Sequence, residues 1–192
     1  MVGNDIIDLK QAKIDSNWKR NGYLNKVFSK KEQTYILSSD NKTQAVWLLW
    51  SMKEAAYKIH IQLTGKAFFN PKKISCNLIS LTEGLVTINK FTFKTKTVYN
   101  VNYIYTTATS TNFKAIKSNC FRIEKTNYLF QSASVKNKLL SSFSNAKNIP
   151  LKDLKIIKIK SGIPKLFLNS TELKCSISLT HHGNYCGYTF SI

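Results

Sequence analysis

Apolar residues recur at helical spacing between positions 42 and 63. Ala45, Leu48, Leu49, Met52, Ala55, Ala56, Ile59 and Leu63 form one stripe, which predicts a helix with one face on a core. Thr64-Gly65 ends it. Upstream, Phe28-Ser29-Lys30-Lys31-Glu32 has the form of a capping box, with Ser29 as the cap and Glu32 at the third helical position, and predicts a short helix running to about Leu37. Residues 2–9 set apolar side chains around Asp5 and Asp8 and predict a first strand that runs into a loop. After Asn70-Pro71 the pattern turns to strands, at 73–80, 85–93 and 97–107, the last with plain alternation. The order then begins again, with a strand at 113–124, a helix at 134–145, and strands at 154–160, 164–168, 175–179 and 185–191.

Strand, helix and strands, twice over, predicts an α+β fold of two similar halves, 1–110 and 111–192, each with a small antiparallel sheet packed on helices. The boundary falls near 107–112, no residue-level repeat accompanies it, and a single elaborated sheet is the other arrangement the pattern allows. With 192 residues, 43% of them hydrophobic, and 23 aromatics, the chain has enough apolar surface for one sizeable core or two small lobes, so disorder is not expected.

Charge changes the picture more than composition does. The chain carries 29 basic residues against 10 acidic ones, a net +19, yet only Arg20 and Arg122 are arginines. Such a field points to an anionic partner, and the shortage of guanidinium forks leaves open whether that partner is nucleic acid, lipid, a phosphorylated small molecule or an acidic protein. Cys76, Cys120, Cys175 and Cys186 show neither paired nor zinc-ligand spacing and read as reduced thiols. No apolar run is long enough to span a bilayer or serve as a signal sequence, so a cytoplasmic protein without membrane contact is expected.

Where acids are scarce, each one kept raises the question of what cation it meets. Asp5 and Asp8 lie on the first strand, and Glu54 lies mid-helix one turn before Lys58, so a metal site surrounded by lysines is expected. At roughly 100° per residue, Glu54 stands about 160° from the centre of the apolar stripe. It shares its own face with Trp47, Trp50, Lys58 and Ile61, so that side of the helix should be covered by a second lobe or a ligand. Taken singly these features are ordinary: a Glu-Lys pair four apart is commonly a surface ion pair, tryptophans commonly pack, and His60 and His181-His182 suit a helix and a loop without function.

Their order along the chain is what resembles a family. Gly3-Asn4-Asp5, Trp50-Ser51-Met52-Lys53-Glu54-Ala55-Ala56-Tyr57-Lys58, Gly162-Ile163-Pro164 and Ser178-Leu179-Thr180-His181 resemble the Gly-x-Asp, Trp-x-x-Lys-Glu-Ala, Gly-x-Pro and Ser-x-Ser-His motifs of the 4'-phosphopantetheinyl transferase superfamily. Phe28 to Glu32 resembles a fifth motif. Two positions depart from the pattern. Asn4 replaces the usual Ile or Val and would add a polar contact near the metal, and Ile163 stands where the large single-chain type often has a phosphate-binding lysine, leaving Lys165 to substitute. The motif order is that of the small holo-acyl-carrier-protein synthase type, which works as a trimer, while the length suits the larger type; the resemblance therefore implies a permuted pseudo-dimer, active as a monomer, with a trimer as the alternative.

The resemblance implies magnesium-dependent transfer of 4'-phosphopantetheine from coenzyme A to a serine of an acidic acyl or peptidyl carrier protein. Asp5 and Glu54 would hold Mg2+, with Asp8 a further, water-mediated ligand. Lys53, Lys58, His181, Ser178 and Lys165 would contact coenzyme A, and Glu54 and Lys58 would serve the chemistry. Helix 29–37 would meet the carrier protein. Two alternatives remain at this stage: a nucleic-acid-binding protein using its charge with Tyr99, Tyr103 and Tyr105 as stacking surfaces, and a catalytically inactive carrier-protein binder of the same fold.

Overall fold

A computed structural model describes residues 1–67, 70–110, 115–159 and 162–192. The first strand, β1 (Val2–Asp8), is buried at every position rather than at alternate ones, so it is covered on both faces. Asp8 then caps α1 (Leu9–Asp15), α2 (Tyr23–Val27) follows, and Ser29 and Glu32 form the expected capping box at the start of α3 (Lys30–Ser38). The long helix, α4 (Lys42–Thr64), starts at an Asn41 cap and stops at Gly65, whose φ of 67° is left-handed.

Four strands come next: β2 (Ile74–Leu78), β3 (Glu83–Ile88), β4 (Phe91–Tyr99) and β5 (Tyr103–Ser110). They form an antiparallel sheet of order β1-β5-β4-β3-β2. Two predicted strands here divide differently. The run at 85–93 breaks at Asn89, whose φ of 53° turns β3 into β4, and the run at 97–107 breaks at Asn100, whose side chain accepts the amides of Asn102 and Tyr103. Alternation of Thr97, Tyr99, Val101, Tyr103 and Tyr105 continues through this second turn, which is why the pattern conceals it.

The remaining elements are β6 (Ile116–Arg122), α5 (Tyr128–Lys147), β7 (Leu154–Lys158), β8 (Pro164–Leu168), β9 (Thr171–Glu172), β10 (Ile177–His182) and β11 (Tyr185–Ser191). They build two three-stranded antiparallel sheets, β10-β11-β6 and β7-β8-β9. The expected boundary at 107–112 and the predicted strands at 113–124 and 154–160 extend into positions 111–114 and 160, which lie outside the described residues. One apolar core surrounds α4 with Phe28, Ile36, Phe93 and Ile104; a second surrounds α5 with Leu154, Leu166, Tyr188 and Phe190. Among the described residues no helix is long and apolar enough to cross a membrane.

Side chains, not a backbone ladder, join the free edge of β1 to β10. The amides of Val2, Asn4 and Asp8 donate to Ser176 Oγ (2.8 Å), Ser178 Oγ (3.2 Å) and His182 Nδ1 (2.9 Å), each pair 174 residues apart. From the other side α4 meets the carbonyls: Gln62 Nε2 donates to Val2 O (2.8 Å) and Lys58 Nζ to Asn4 O (2.7 Å). An edge that would otherwise offer unpaired groups is thereby closed.

Candidate functional site

Asp5 reaches its position because Gly3, two residues earlier on the same face of β1, has no side chain. A Cβ there would run into the Ala55 carbonyl oxygen and Ile59 of α4, so glycine alone lets the strand lie this close to the helix. Asp5 Oδ1 accepts from Thr180 Oγ1 at 3.3 Å and from Lys58 Nζ at 3.5 Å. Its Oδ2 is buried with no hydrogen-bond partner among the described residues. Burial raises the Asp5 pKa, against the pull of Lys58 and Thr180.

Glu54 and Asp5 line one cavity of about 690 Å3 together with Trp47, Trp50, His181 and His182. Burial first, and the Asp5 charge second, push the Glu54 carboxyl up to about 7, with Lys58 opposing. The Asp5 charge raises the proton affinity of Glu54, and one Asp5 oxygen is buried without a partner among the described residues, so the pair suits a cation. Among the described residues no group of three or more His, Cys, Asp or Glu could hold a metal ion. Two carboxylates still fit magnesium, a hard ion that takes one or two of them and completes its shell with water and substrate phosphate.

A second cavity, of about 180 Å3, meets the first at His181 and is lined by Lys58, Lys136, Lys158, Ser178 and the Gly162-Ile163-Pro164 turn. His181 packs edge-on against Tyr128, ring centroids 5.5 Å apart. Burial lowers its pKa, helped by the charges of Lys58 and Lys158, which favours the neutral imidazole. A cavity walled by three lysines suits phosphate groups, and one with paired carboxylates at its end suits the metal that accompanies them.

Four expected positions do other work. The Lys53 ammonium is buried and bonded to Glu32 Oε2 (2.9 Å) and to the carbonyls of Val27, Pro71 and Ile74, about 100° around α4 from Glu54. Asp8 gives one oxygen to the amides of Lys10 and Gln11 and the other to the amide of Asn184, so its carboxylate is committed to holding α1 and the β10–β11 turn. Lys165 pairs with Glu172 at 2.8 Å, away from both cavities. Asn4 points to the opposite face of β1 from Asp5, where its side chain donates to Tyr105 Oη (3.2 Å), which donates in turn to Tyr188 O (2.8 Å). Ser178 lines the lysine cavity, but its hydroxyl accepts the Asn4 amide. Of the tyrosines proposed for base stacking, Tyr105 is buried and Tyr103 packs on Tyr185.

Sequence reasoning missed Thr180, Lys136 and Lys158. Thr180 had a signal, the alternation Ser176-x-Ser178-x-Thr180-x-His182 that faces β1; the lysines, two among 27, had none.

The paired acids, the lysine cavity and the histidine between them define a site suited to a phosphorylated substrate. A family model, the 4'-phosphopantetheinyl transferase superfamily, matches residues 1–115, which hold Asp5, Glu54 and Lys58. The chain belongs to that superfamily, whose defining chemistry is transfer of a 4'-phosphopantetheinyl group. Among solved structures it is similar to the crystal structure of Thermotoga maritima holo-[acyl-carrier-protein] synthase, at 11% identity and a TM-score of 0.44, over 89% of this chain and 83% of that one. No curated protein matches.

Proposed function

We propose that the protein is a cytoplasmic transferase that moves 4'-phosphopantetheine from coenzyme A to a serine of an acidic carrier protein, with magnesium as cofactor. The observation that carries the reading is the junction of Asp5, Glu54 and Lys58 with His181 from the far end of the chain. Asp5 Oδ2 and Glu54 would hold the ion, which would offset negative charge on the pyrophosphate. Lys58, Lys136, Lys158 and His181 would bind the phosphates of the adenosine 3',5'-bisphosphate half; Lys136 and Lys158 take the part that sequence gave to Lys165. Glu54, as a carboxylate, would accept the serine proton as the serine oxygen attacks phosphorus.

The strand order supports two similar halves. In 1–110 a strand, helices and further strands end with β5 beside β1, and in 111–192 the same succession ends with β11 beside β6. Free thiols at all four cysteines suit a reducing compartment. The test is intact-mass measurement of an apo carrier protein after incubation with the enzyme, coenzyme A and magnesium. A gain of one phosphopantetheine is expected, lost on magnesium chelation and in Glu54→Gln; an unchanged mass with every carrier class tried would overturn the reading.

A further inference from the structure

With no backbone ladder between β1 and β10, side chains alone stop the two strands from sliding past each other. Amides of β1 donate to the side chains of residues 176, 178 and 182, each 174 positions ahead, so the strands run parallel in one register. The first two partners are serine hydroxyls, whose single rotor adapts to a small shift. The third is the planar ring of His182. An amide only donates, so Nδ1 accepts from Asp8 N–H at 2.9 Å, and Nε2 carries the proton that goes to Asp15 Oδ2 at 3.1 Å. Gln11 Nε2 holds the other Asp15 oxygen at 2.8 Å. One imidazole thus ties the end of β10 to both ends of α1.

The turn that follows is gripped as firmly. Gly183, at a φ of 54°, lies so close to Asp8 that a Cβ would strike the carboxylate; the Asn184 amide donates to Asp8 Oδ2 (2.9 Å), and Gln131 Nε2 of α5 donates to Gly183 O (2.8 Å). Directly before this clasp stand Thr180, which donates to Asp5 Oδ1, and His181, at the meeting of the two cavities. His182 and Asp15 also line the larger cavity, beside Arg20 and Lys26, but both ring nitrogens of His182 are spent on the protein itself. We propose that His182 is a positioning residue for transfer: with Asp15 and the Asp8 amide it sets how far β10 lies along β1, and so where His181 stands relative to Asp5 and Glu54. The inference rests on the transferase reading above. In that reading His181 meets charge that grows on the departing nucleotide, so misplacing it costs rate more than binding, and a displacement of about 1 Å can cost ~100-fold. Lys58, Lys136 and Lys158 hold the phosphates of the bound substrate wherever His181 points.

The test measures kcat and the coenzyme A KM for transfer to an apo carrier protein by intact mass, with rates referred to the folded fraction from near-ultraviolet circular dichroism. His182→Ala should lose about tenfold to ~100-fold in kcat and leave KM within about threefold. His182→Asn, whose Oδ1 stands in for Nδ1, should recover to within about fivefold of the wild type. Asp15→Ala, at a half-exposed position that the fold tolerates, should show a kcat loss of about threefold or more. In a His181→Ala background, where no imidazole is left to misplace, His182→Ala should cost less than about threefold, a non-additivity that a role in stability alone does not produce. A His182→Ala loss that is confined to KM, or that multiplies in full in the double variant, would overturn the inference and leave the transferase reading intact. So would unchanged kcat in both His182→Ala and Asp15→Ala. A wild type that transfers nothing would overturn both.

Discussion

Glu54 is held in the free protein at a disadvantage to its charged form. Its carboxyl titrates at about 7 in the fold against an ordinary 4.5, so between those values the folded state keeps a proton that the unfolded chain has lost. Stability therefore falls as pH rises through that window and is lowest above it. Glu54→Gln should raise the melting temperature at pH 8, by about 2–4 °C per kcal/mol relieved, and leave it unchanged at pH 4, while abolishing transfer. Thermal scans at the two pH values decide; a variant less stable at pH 8 would mean that the carboxylate is held by contacts stronger than its burial. Lys53 makes the opposite case. Adjacent to Glu54 in the motif, it points about 100° away around the helix and neutralises buried Glu32, something sequence adjacency could not reveal. Lys53→Met should destabilise the protein by about 3–5 kcal/mol through the unpaired Glu32 charge, read from the urea midpoint, with coenzyme A affinity retained.

The elements that the pattern predicts well are those long enough to show a period. α4 and β11 match their expected bounds to within a residue or so, because twenty-odd positions of stripe or a clean alternation leave little choice. The short helices α1 and α2 went unread, having too few turns for periodicity to emerge. Nor could a pattern show that β1 presses its backbone against α4. That approach is what places Asp5 near Lys58, so Gly3→Ala should act on both the fold and the site. Overpacking of about 1–3 kcal/mol is expected in denaturant unfolding, together with reduced transfer by the fraction that still folds. A Gly3→Ala protein with unchanged midpoint and activity would show that strand and helix can part without consequence.

For the molecule as a whole, the net charge of +19 pointed to an anionic partner but could not say which lysines serve a site; that needed the fold to bring Lys136 of α5 and Lys158 of β7 beside Lys58 of α4. Because one chain supplies the acids, the lysines and the histidine, a monomer should be fully active. Sedimentation at micromolar concentration alongside activity measurements checks this, and a trimer needed for turnover would contradict it. The joining of β1 to β10 has a consequence for how the molecule is made. During synthesis the edge of β1 waits for residues 176–182, so the ribosome must deliver nearly all of the described chain before the two strands can close on each other. A nascent or clipped product ending before β10 could pack its first core but would lack His181 and Thr180, so assembly of the site reports that synthesis has passed β10.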